Sequence, residues 1–498
     1  MSMLIQEFDS IKAGIDVKSN LLIFKDKLKS QVSHGLSTDA MSGEYGVFTA
    51  LLDDEDPKIR KNAVQILGLL GNSAAFDDIY KAYLKEETNY NKSAYIKAMS
   101  ALDYLPHIEE LTQLYNALKN EEVTEDNRKH RIEELHAFSL MLLEQLPDHS
   151  FTGHELVNEF VLLTNRNFKG ITVKELGRIP HKEFTAGVMV KTKQLDYVLN
   201  NVRTYSELLF KPDDITDVSA QPEEAARELI AAGLTDYIQA RISSSDSPIA
   251  FRVDYKTQDI KKKSDFEHRI SSELEYLSKW QLINSTGSYE LELRFIDSAA
   301  GRPIVLLRFC MLKDRRFDYR RMTLPVSMKP SLAALLMQLG HDYFKDNAAV
   351  CDPFCGCGTM LVERDRLMST RIMYGIDIFQ DAIKAAAVNI QAAGLKSKTE
   401  LVTRDFFDFR HDYRFDEIVT DMPFVTGQKA SADIEAIYRK FFNKLPSVME
   451  EEGHLFIYSR NRSLLRKYAL EAHVRIIAEY EISKVEGSYF YILQYNKA

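Results

Sequence analysis

The sequence predicts a multidomain chain in three parts: an α-helical repeat domain over 1–150, an α+β middle over 155–312, and an α/β domain built on a parallel sheet over 313–498. Three observations predict it. Apolar helical segments recur at 35 and 41 residues in the front, short β-branched runs begin near Phe160, and the last third alternates strand with helix. A length of 498 residues also exceeds what one hydrophobic core usually supports.

Composition fits folded domains, with 45% hydrophobic and 28% charged residues, 13 prolines and no low-complexity tract. The start, MSMLIQEFDSIKAGID, lacks a basic flank followed by an apolar core, and no run of 18 apolar residues occurs. A cytoplasmic location with no membrane anchor is the expectation. Four cysteines in so long a chain cannot form a disulfide framework, so reduced thiols are expected. The net charge of −9 belongs to the front: residues 1–150 hold 16 basic and 25 acidic residues, and the remainder balances. Between Phe251 and Arg321, 15 basic residues face 11 acidic ones. Lys261, Lys262, Lys263, Arg315, Arg316, Arg320 and Arg321 are candidate phosphate contacts there, although a solvated surface has the same charge pattern.

In the front, KNAVQILGLL (61–70) recurs as IKAMSALDYL (96–105) and AFSLMLLEQL (137–146), aligning Ala63, Ala98 and Ser139 and, one turn on, Leu67, Leu102 and Leu143. DPKIR (56–60) opens a helix. Small residues at fixed positions suit stacked helix pairs similar to HEAT repeats, while a plain helical bundle shares the apolar spacing. Such a domain binds or braces a partner, a protein being the natural candidate. LPDHSFTG, 146–153, breaks the pattern and marks the boundary.

In the middle, VLLTN (161–165), GVMVKT (187–192), PIAFRVDYK (248–256), YELELRFID (289–297) and PIVLLRFCM (303–311) read as strands. ITVKELGRI (171–179) and SDFEHRISSELEYLSKW (264–280) read as helices, and LDYVLNNVRTYSELLF (195–210) follows as an amphipathic segment.

In the last part, AAVCD (348–352) and MYGID (373–377) are strands flanking a glycine loop and a helix. DAIKAAAVNIQAAG (381–394) is a helix, its apolar face made by Ile383, Ala387 and Ile390. ELVT (400–403), EIVT (417–420), HLFIYS (454–459), VRIIAEY (474–480) and SYFYILQYN (488–496) add strands. Carboxylates end successive strands or the turns after them, at Asp352, Asp377, Asp405 and Asp421. Loops leaving the carboxyl ends of an open parallel sheet line one crevice, so the four converge on one site. Gly356 and Gly358 allow a tight turn, and the following helix aims its amides at a ligand. An acid 25 residues after Asp352 suits a ribose, which a dinucleotide also carries, but the loop D-P-F-C-G-C-G-T is not G-x-G-x-x-G and no Walker lysine is present.

DPFCGCGT (352–359), GIDIFQDAIKAAAVNIQAAG (375–394), RDFFDF (404–409) and TDMPF (420–424) resemble, in order and spacing, the motifs of S-adenosylmethionine-dependent methyltransferases. More narrowly, the chain is similar to the THUMP-domain RNA guanine-N2 methyltransferases. RRFDYRRMTLPVSMKPSLAALLMQLG (315–340) resembles the segment that they place before the glycine loop. FVLLTNRNFKGITVKELGRI (160–179) and VMVKTKQLDYVLNNVRTYSELLF (188–210) resemble their ferredoxin-like region. The resemblance covers about 155–498 and implies a ferredoxin-like and THUMP RNA-binding middle, a Rossmann-like methyltransferase domain, S-adenosyl-L-methionine as cofactor, and tRNA or rRNA as substrate.

Carried onto matching positions, the resemblance assigns Asp352, Pro353, Phe354, Gly356 and Gly358 to the methionine end of the cofactor, Asp377 to its ribose, and Asp405, with Phe406 beside it, to its adenine, with Thr359 and Ile378 as further cofactor contacts. Asp421, Met422, Pro423 and Phe424 stand where such enzymes have N/D-P-P-Y/F, a signature for methylating a planar exocyclic amine. An amine conjugated with a ring is a poor nucleophile. The site must aim its nitrogen at the methyl group and accept its N–H bonds, which Asp421 and the Met422 carbonyl can do. Phe424 can stack on the base, worth ~1–3 kcal/mol, and a base in a helix must first be flipped out. No metal is required. Met422 replaces a proline, and Val425 replaces a glycine that arrives at Gly427 instead.

A DNA adenine-N6 or protein amide-nitrogen methyltransferase shares the quartet's logic, and a non-catalytic scaffold that binds RNA or protein is a further alternative. A cysteine nucleophile is disfavoured, because Cys355 and Cys357 lie on the cofactor side and no cysteine lies near TDMPF. Their C-G-C spacing is also too close for a zinc knuckle, so the cysteines read as small side chains packed beside a glycine turn.

Overall fold

The computed structural model describes residues 4–34, 43–121, 123–145, 148–243, 247–424 and 430–496. Val425 and Gly427 lie outside the described residues. The chain forms two compact units, Met1–Gly153 with Lys211–Leu312, and His154–Phe210 with Lys313–Ala498. The middle expected over 155–312 is therefore divided between the two units.

In the first unit, helix Pro57–Leu70 packs on Asn89–Ser100, which packs on Glu125–Leu143, while Phe76–Lys85 and Ile108–Asn120 pair with the last two. Asp56 caps the first of these by accepting from the Lys58 amide at 2.8 Å, with Pro57 at the first helical position. Ala63, Ala98 and Ser139 are all buried, and a Cβ on Gly68 would lie 2.9 Å from Ala98 Cα, so small residues set the helix approach. The repeat alignment runs past the helices: Leu102 follows a helix that ends at Ser100.

The helical front does not stand alone. Arg128 donates to both oxygens of Glu273, at 2.8 and 2.9 Å, and His136 lies 2.7 Å from Glu275, both acids on helix Ile260–Leu277. Trp280 and Ile283 join the front's core. Strand Ile249–Lys256 pairs in parallel with Leu282–Asn284 and Leu291–Ile296, and the latter pairs antiparallel with Ile304–Phe309.

In the second unit, residues 158–210 follow the order strand, helix, strand, strand, helix, strand. Asn158–Thr164 is flanked antiparallel by Gly187–Thr192 and Tyr205–Phe210, and His181–Phe184 pairs with Gly187–Thr192. Tyr205–Phe210 is a strand within the segment read from sequence as one amphipathic stretch. It follows helix Leu195–Asn201.

The larger sheet comprises β1 (Ala348–Asp352), β2 (Thr370–Asp377), β3 (Thr399–Thr403), β4 (Phe415–Asp421), β5 (Met449–Ser459), β6 (Arg475–Ser483) and β7 (Ser488–Gln494). Its order is β3-β2-β1-β4-β5-β7-β6, with β7 antiparallel to both neighbours and the other pairings parallel. All five residues of β1 are buried, as a central parallel strand requires. Helices α1 (Thr359–Leu367) and α2 (Gln380–Ala392), with Pro330–Gly340, cover one face through Leu361, Ile383, Ile390, Leu336 and Met337. Helices α3 (Ala430–Val448) and α4 (Arg462–Glu471) cover the other through Phe441, Leu445, Leu465 and Tyr468. The chain winds outward from β1 in both directions, so a switch point opens between β1 and β4, where an open α/β sheet takes its ligand.

Candidate active site at the sheet switch point

Asp352 ends β1 and is buried, its Oδ1 accepting from the Phe354 amide at 3.2 Å and from the Thr420 hydroxyl on β4 at 2.9 Å. Burial pushes its carboxyl up to about 8, against those two hydrogen bonds, and the nearby carboxylates of Asp377 and Asp421 push it further the same way. Pro353 is buried and Phe354 half-buried. Gly356 and Gly358 take φ of +52° and +79°, and the Gly358 amide donates to the Cys355 carbonyl at 2.8 Å, closing the turn that starts α1.

Asp377 ends β2 and ties the loop to it: Oδ2 accepts from the Gly356 amide at 3.0 Å and Oδ1 from the Phe379 amide at 3.0 Å. Beside it Ile378 and Phe379 are 58% and 66% exposed, an apolar shelf next to a carboxylate. The exposed Asp405 accepts from the Phe407 amide at 2.9 Å, and the Arg404 amide donates to the Asp377 carbonyl at 2.9 Å, which sets the third turn against the second. Phe406 is buried against Phe354 and Phe441, so its ring supports the loop and only its backbone can face a ligand.

Asp421 ends β4 and is half-buried; burial pushes its carboxyl up to about 7, and the guanidinium of Arg460 pulls it back. The Met422 amide donates to the Tyr458 carbonyl at 2.9 Å, Met422 is buried, and Pro423 is half-buried. Phe424 is 47% exposed, with Arg460 Cζ 4.6 Å from its ring centroid. Asp352, Asp377, Asp405 and Asp421 thus all stand at the carboxyl ends of β1 to β4 or in the turn after them, as their spacing predicts.

Three residues of this region have no role that the sequence assigns, although Thr420 and Asn389 stand within the quoted stretches 420–424 and 375–394. Thr420 links β4 to Asp352. Buried Asn389 on α2 donates to the carbonyls of Cys357 and Met322 at 3.0 and 2.8 Å and accepts from the Met322 amide at 2.9 Å, so it fastens the glycine loop to the segment before it. Arg460 follows β5 directly. Only residues brought together by the sheet explain them.

The cysteines serve packing. Cys355 Sγ would stand 3.1 Å from a Cβ on Gly375, and Cys357 Sγ lies 3.3 Å from both Ser327 Oγ and Thr359 Oγ1. All four thiols are free, and burial drives those of Cys351 and Cys355 well above the ordinary range, which suits neither nucleophile nor ligand.

The expected basic contacts divide. Lys261, Lys262 and Lys263 lie in the first turn of helix Ile260–Leu277, where Lys261 and Lys262 are exposed and Lys262 sits 5.5 Å over the Tyr255 ring. Lys263 lies 3.5 Å from Asp254. Arg315 and Arg321 are exposed, and Arg320 donates to the Met328 carbonyl at 2.6 Å. Arg316 is a correction: its side chain is buried, bidentate on Asp314, bonded to the Tyr205 carbonyl at 2.9 Å and stacked 3.4 Å over the Tyr205 ring, so it is a structural residue and not a phosphate contact. Next to it, Arg203 donates to both oxygens of Glu363 on α1, at 3.1 and 2.7 Å, and Tyr319 donates to the same carboxylate at 2.7 Å.

Residues 317–485 match the model of the UPF0020 family, described as an RMKL-like methyltransferase domain. The chain is 30% identical over 171 residues to the tRNA (guanine(10)-N2)-dimethyltransferase of Methanothermobacter thermautotrophicus, covering 30% of this chain and 49% of that protein. It is 29% identical over 140 residues to the enzyme of the same name from Pyrococcus abyssi, covering 28% and 40%. It is 33% identical over 97 residues to the mouse U6 snRNA (guanine-N(2))-methyltransferase THUMPD2, covering 19% and 18%. The chain therefore spans half or less of the length of these curated relatives. Among solved structures, TrmN from Thermus thermophilus aligns with a TM-score of 0.50 at 16% identity, over 68% of this chain and 99% of that one, a likeness of fold. Residues 317–485 of this chain are thus similar to the methyltransferase domain that the UPF0020 model describes.

Proposed function

We propose that the protein is an S-adenosylmethionine-dependent RNA methyltransferase that acts on the exocyclic N2 of guanosine, with tRNA as the first substrate to test. The observation that carries the reading is the quartet Asp421 to Phe424 at the switch point, one strand from the Asp352 loop. The donor set suits a cationic cofactor. Burial resists the ionisation of Asp352 and Asp421, the carboxylate of Asp377 adds to that effect on Asp352, and a positive group beside Asp352 relieves it. S-adenosylmethionine would supply a methyl group on a sulfonium, its methionine end held by residues 352–359, its ribose by Asp377, and its adenine between Ile378 and the Asp405 turn.

The chain's own part is to present the amine. Asp421 accepts one N–H of the target, the Met422 carbonyl accepts the other, and Phe424 stacks on the base. Together they aim the nitrogen lone pair and replace its hydration. The nitrogen would take the methyl carbon as that carbon's bond to the sulfonium sulfur breaks, leaving the thioether S-adenosylhomocysteine, and would release one proton, with no metal required. The relatives named for guanine-N2 methylation support this choice of atom. Residues 158–210 have the strand order of a ferredoxin-like fold, which supports reading them with 211–312 as the ferredoxin-like and THUMP RNA-binding part. The paired helices of the front support a HEAT-like array that takes a protein partner. Among the described residues no helix is long and apolar enough to cross a membrane, and a cytoplasmic site of action accords with an RNA substrate.

The test incubates the protein and labelled S-adenosylmethionine with RNA from cells lacking it and identifies the labelled nucleoside. N2-methylguanosine is expected, in one or two methyl steps, whereas N6-methyladenosine, labelled DNA or labelled protein overturns the assignment. Asp421→Ala should bind the cofactor and transfer nothing; unchanged transfer sinks the role of Asp421.

A further inference from the structure

The strand ends that carry the quartet and Arg460 run side by side. Asp421 on β4 pairs with Tyr458 on β5, and the Met422 amide donates to the Tyr458 carbonyl at 2.9 Å. Two residues beyond that anchor, on each chain, stand Phe424 and Arg460, with the guanidinium carbon 4.6 Å from the ring centroid. One nitrogen of Arg460 lies 3.9 Å from Glu486, whose amide is held by Ser483 Oγ at 3.2 Å. The arginine is thus steered from behind while Phe424 keeps nearly half of its surface open. A ring gripped on one face by a cation presents its other face as a fixed platform, and such contacts strengthen as water leaves.

We propose that Arg460 is a positioning residue of the target-base site, backing the Phe424 ring so that a flipped purine stacks on the opposite face. The inference rests on the reading of residues 421–424 as that site. Its charge has a second effect, because Arg460 lowers the proton affinity of Asp421, which must be ionised to accept from the amine. Among the described residues, Asp352 on β1, Tyr438 on α3 and Tyr458 on β5 also act on Asp421, and none of these three carries a positive charge. A planar guanidinium fits both tasks better than an ammonium.

The experiment measures methyl transfer from labelled S-adenosylmethionine to RNA from cells lacking the protein, using the full chain and its Arg460→Ala, Arg460→Lys and Phe424→Leu variants. Arg460→Ala should raise the KM for RNA about tenfold, as expected for losing a cation–ring contact that a stacked base shields from water. It should also move the acid limb of kcat to higher pH. Arg460→Lys should restore the acid limb but not the KM. Affinity for S-adenosylhomocysteine, read by calorimetry, should be unchanged in both, and Arg460→Ala placed on Phe424→Leu should add no further rise in KM. Wild-type KM and acid limb in Arg460→Ala overturn the proposal, as does a parallel loss of S-adenosylhomocysteine binding. If Arg460→Ala fails to fold, the KM and acid limb of Arg460→Lys decide, a wild-type KM overturning the proposal. Absence of transfer by the wild-type chain instead overturns the proposed function beneath it.

Discussion

The hydroxyl of Thr420 donates to Asp352 Oδ1 at 2.9 Å, so the strand that ends in Asp421 also steadies the carboxylate at the base of the glycine loop. One side chain couples the two halves of the site. Thr420→Val keeps the shape of the strand and removes the donor. Because the bond opposes the upward push of burial on Asp352, its loss should raise that carboxyl's pKa further and cost about 1–3 kcal/mol of stability near neutral pH. Denaturant unfolding and calorimetric affinity for S-adenosylmethionine check both effects.

The carboxyls of Asp352 and Asp421 sit at about 8 and about 7 in the folded chain, above their unfolded values. The folded state therefore holds protons that the unfolded state has released. This contribution to stability is fully present below about pH 4 and is lost as pH rises towards 8. The thermal midpoint of the ligand-free protein should show that fall, and Asp352→Asn should flatten it more than any single substitution outside the site. A slope unchanged by Asp352→Asn contradicts the buried carboxyl.

Cys310 is exposed, whereas Cys351, Cys355 and Cys357 are buried. Alkylation of the native protein should label one thiol and of the unfolded protein four, counted by mass. Cys357→Ser should keep methyl transfer within about twofold, since the hydroxyl can keep the bonds to Ser327 and Thr359. Complete loss of activity would revive a thiol mechanism.

Glu363 accepts from Arg203 and Tyr319 inside the protein. Glu363→Ala strands a buried guanidinium and should cost about 3–5 kcal/mol of stability. Arg316→Ala should likewise destabilise the fold and leave the salt dependence of RNA binding unchanged. Removing the exposed Arg315 or Arg321 should instead reduce that salt slope by about one with little change in stability. Denaturant curves and RNA titrations at several salt concentrations separate the two behaviours.

Much of the site was legible because its signals are local. β1 is a short wholly apolar run ending in an acid, as a buried parallel strand needs, and β2 and β4 also end in an acid, although Arg371 interrupts the one and Asp416 and Glu417 the other. Strands on the rim were harder: the residues of His181–Phe184 are mostly exposed, so no apolar alternation marks that strand. Arg316 misled for a related reason. A run of arginines reads as a charged surface, and only the packing of Tyr205 beneath one of them turns it into a buried tie.

Residue order alone was enough for the alternation of strand and helix, the glycine turn and the acids that follow the strands, since each follows from backbone preference and hydrophobic period within a few neighbours. The folded chain decided the rest: that residues 154–210 build with 313–498 and 211–312 with the helical front, that Thr420 reaches Asp352, Asn389 the glycine loop and Arg460 the Phe424 ring, and that burial raises the carboxyls of Asp352 and Asp421 towards neutral pH. Those facts depend on burial and on partners far away in sequence, and such contacts exist only once the sheet has closed.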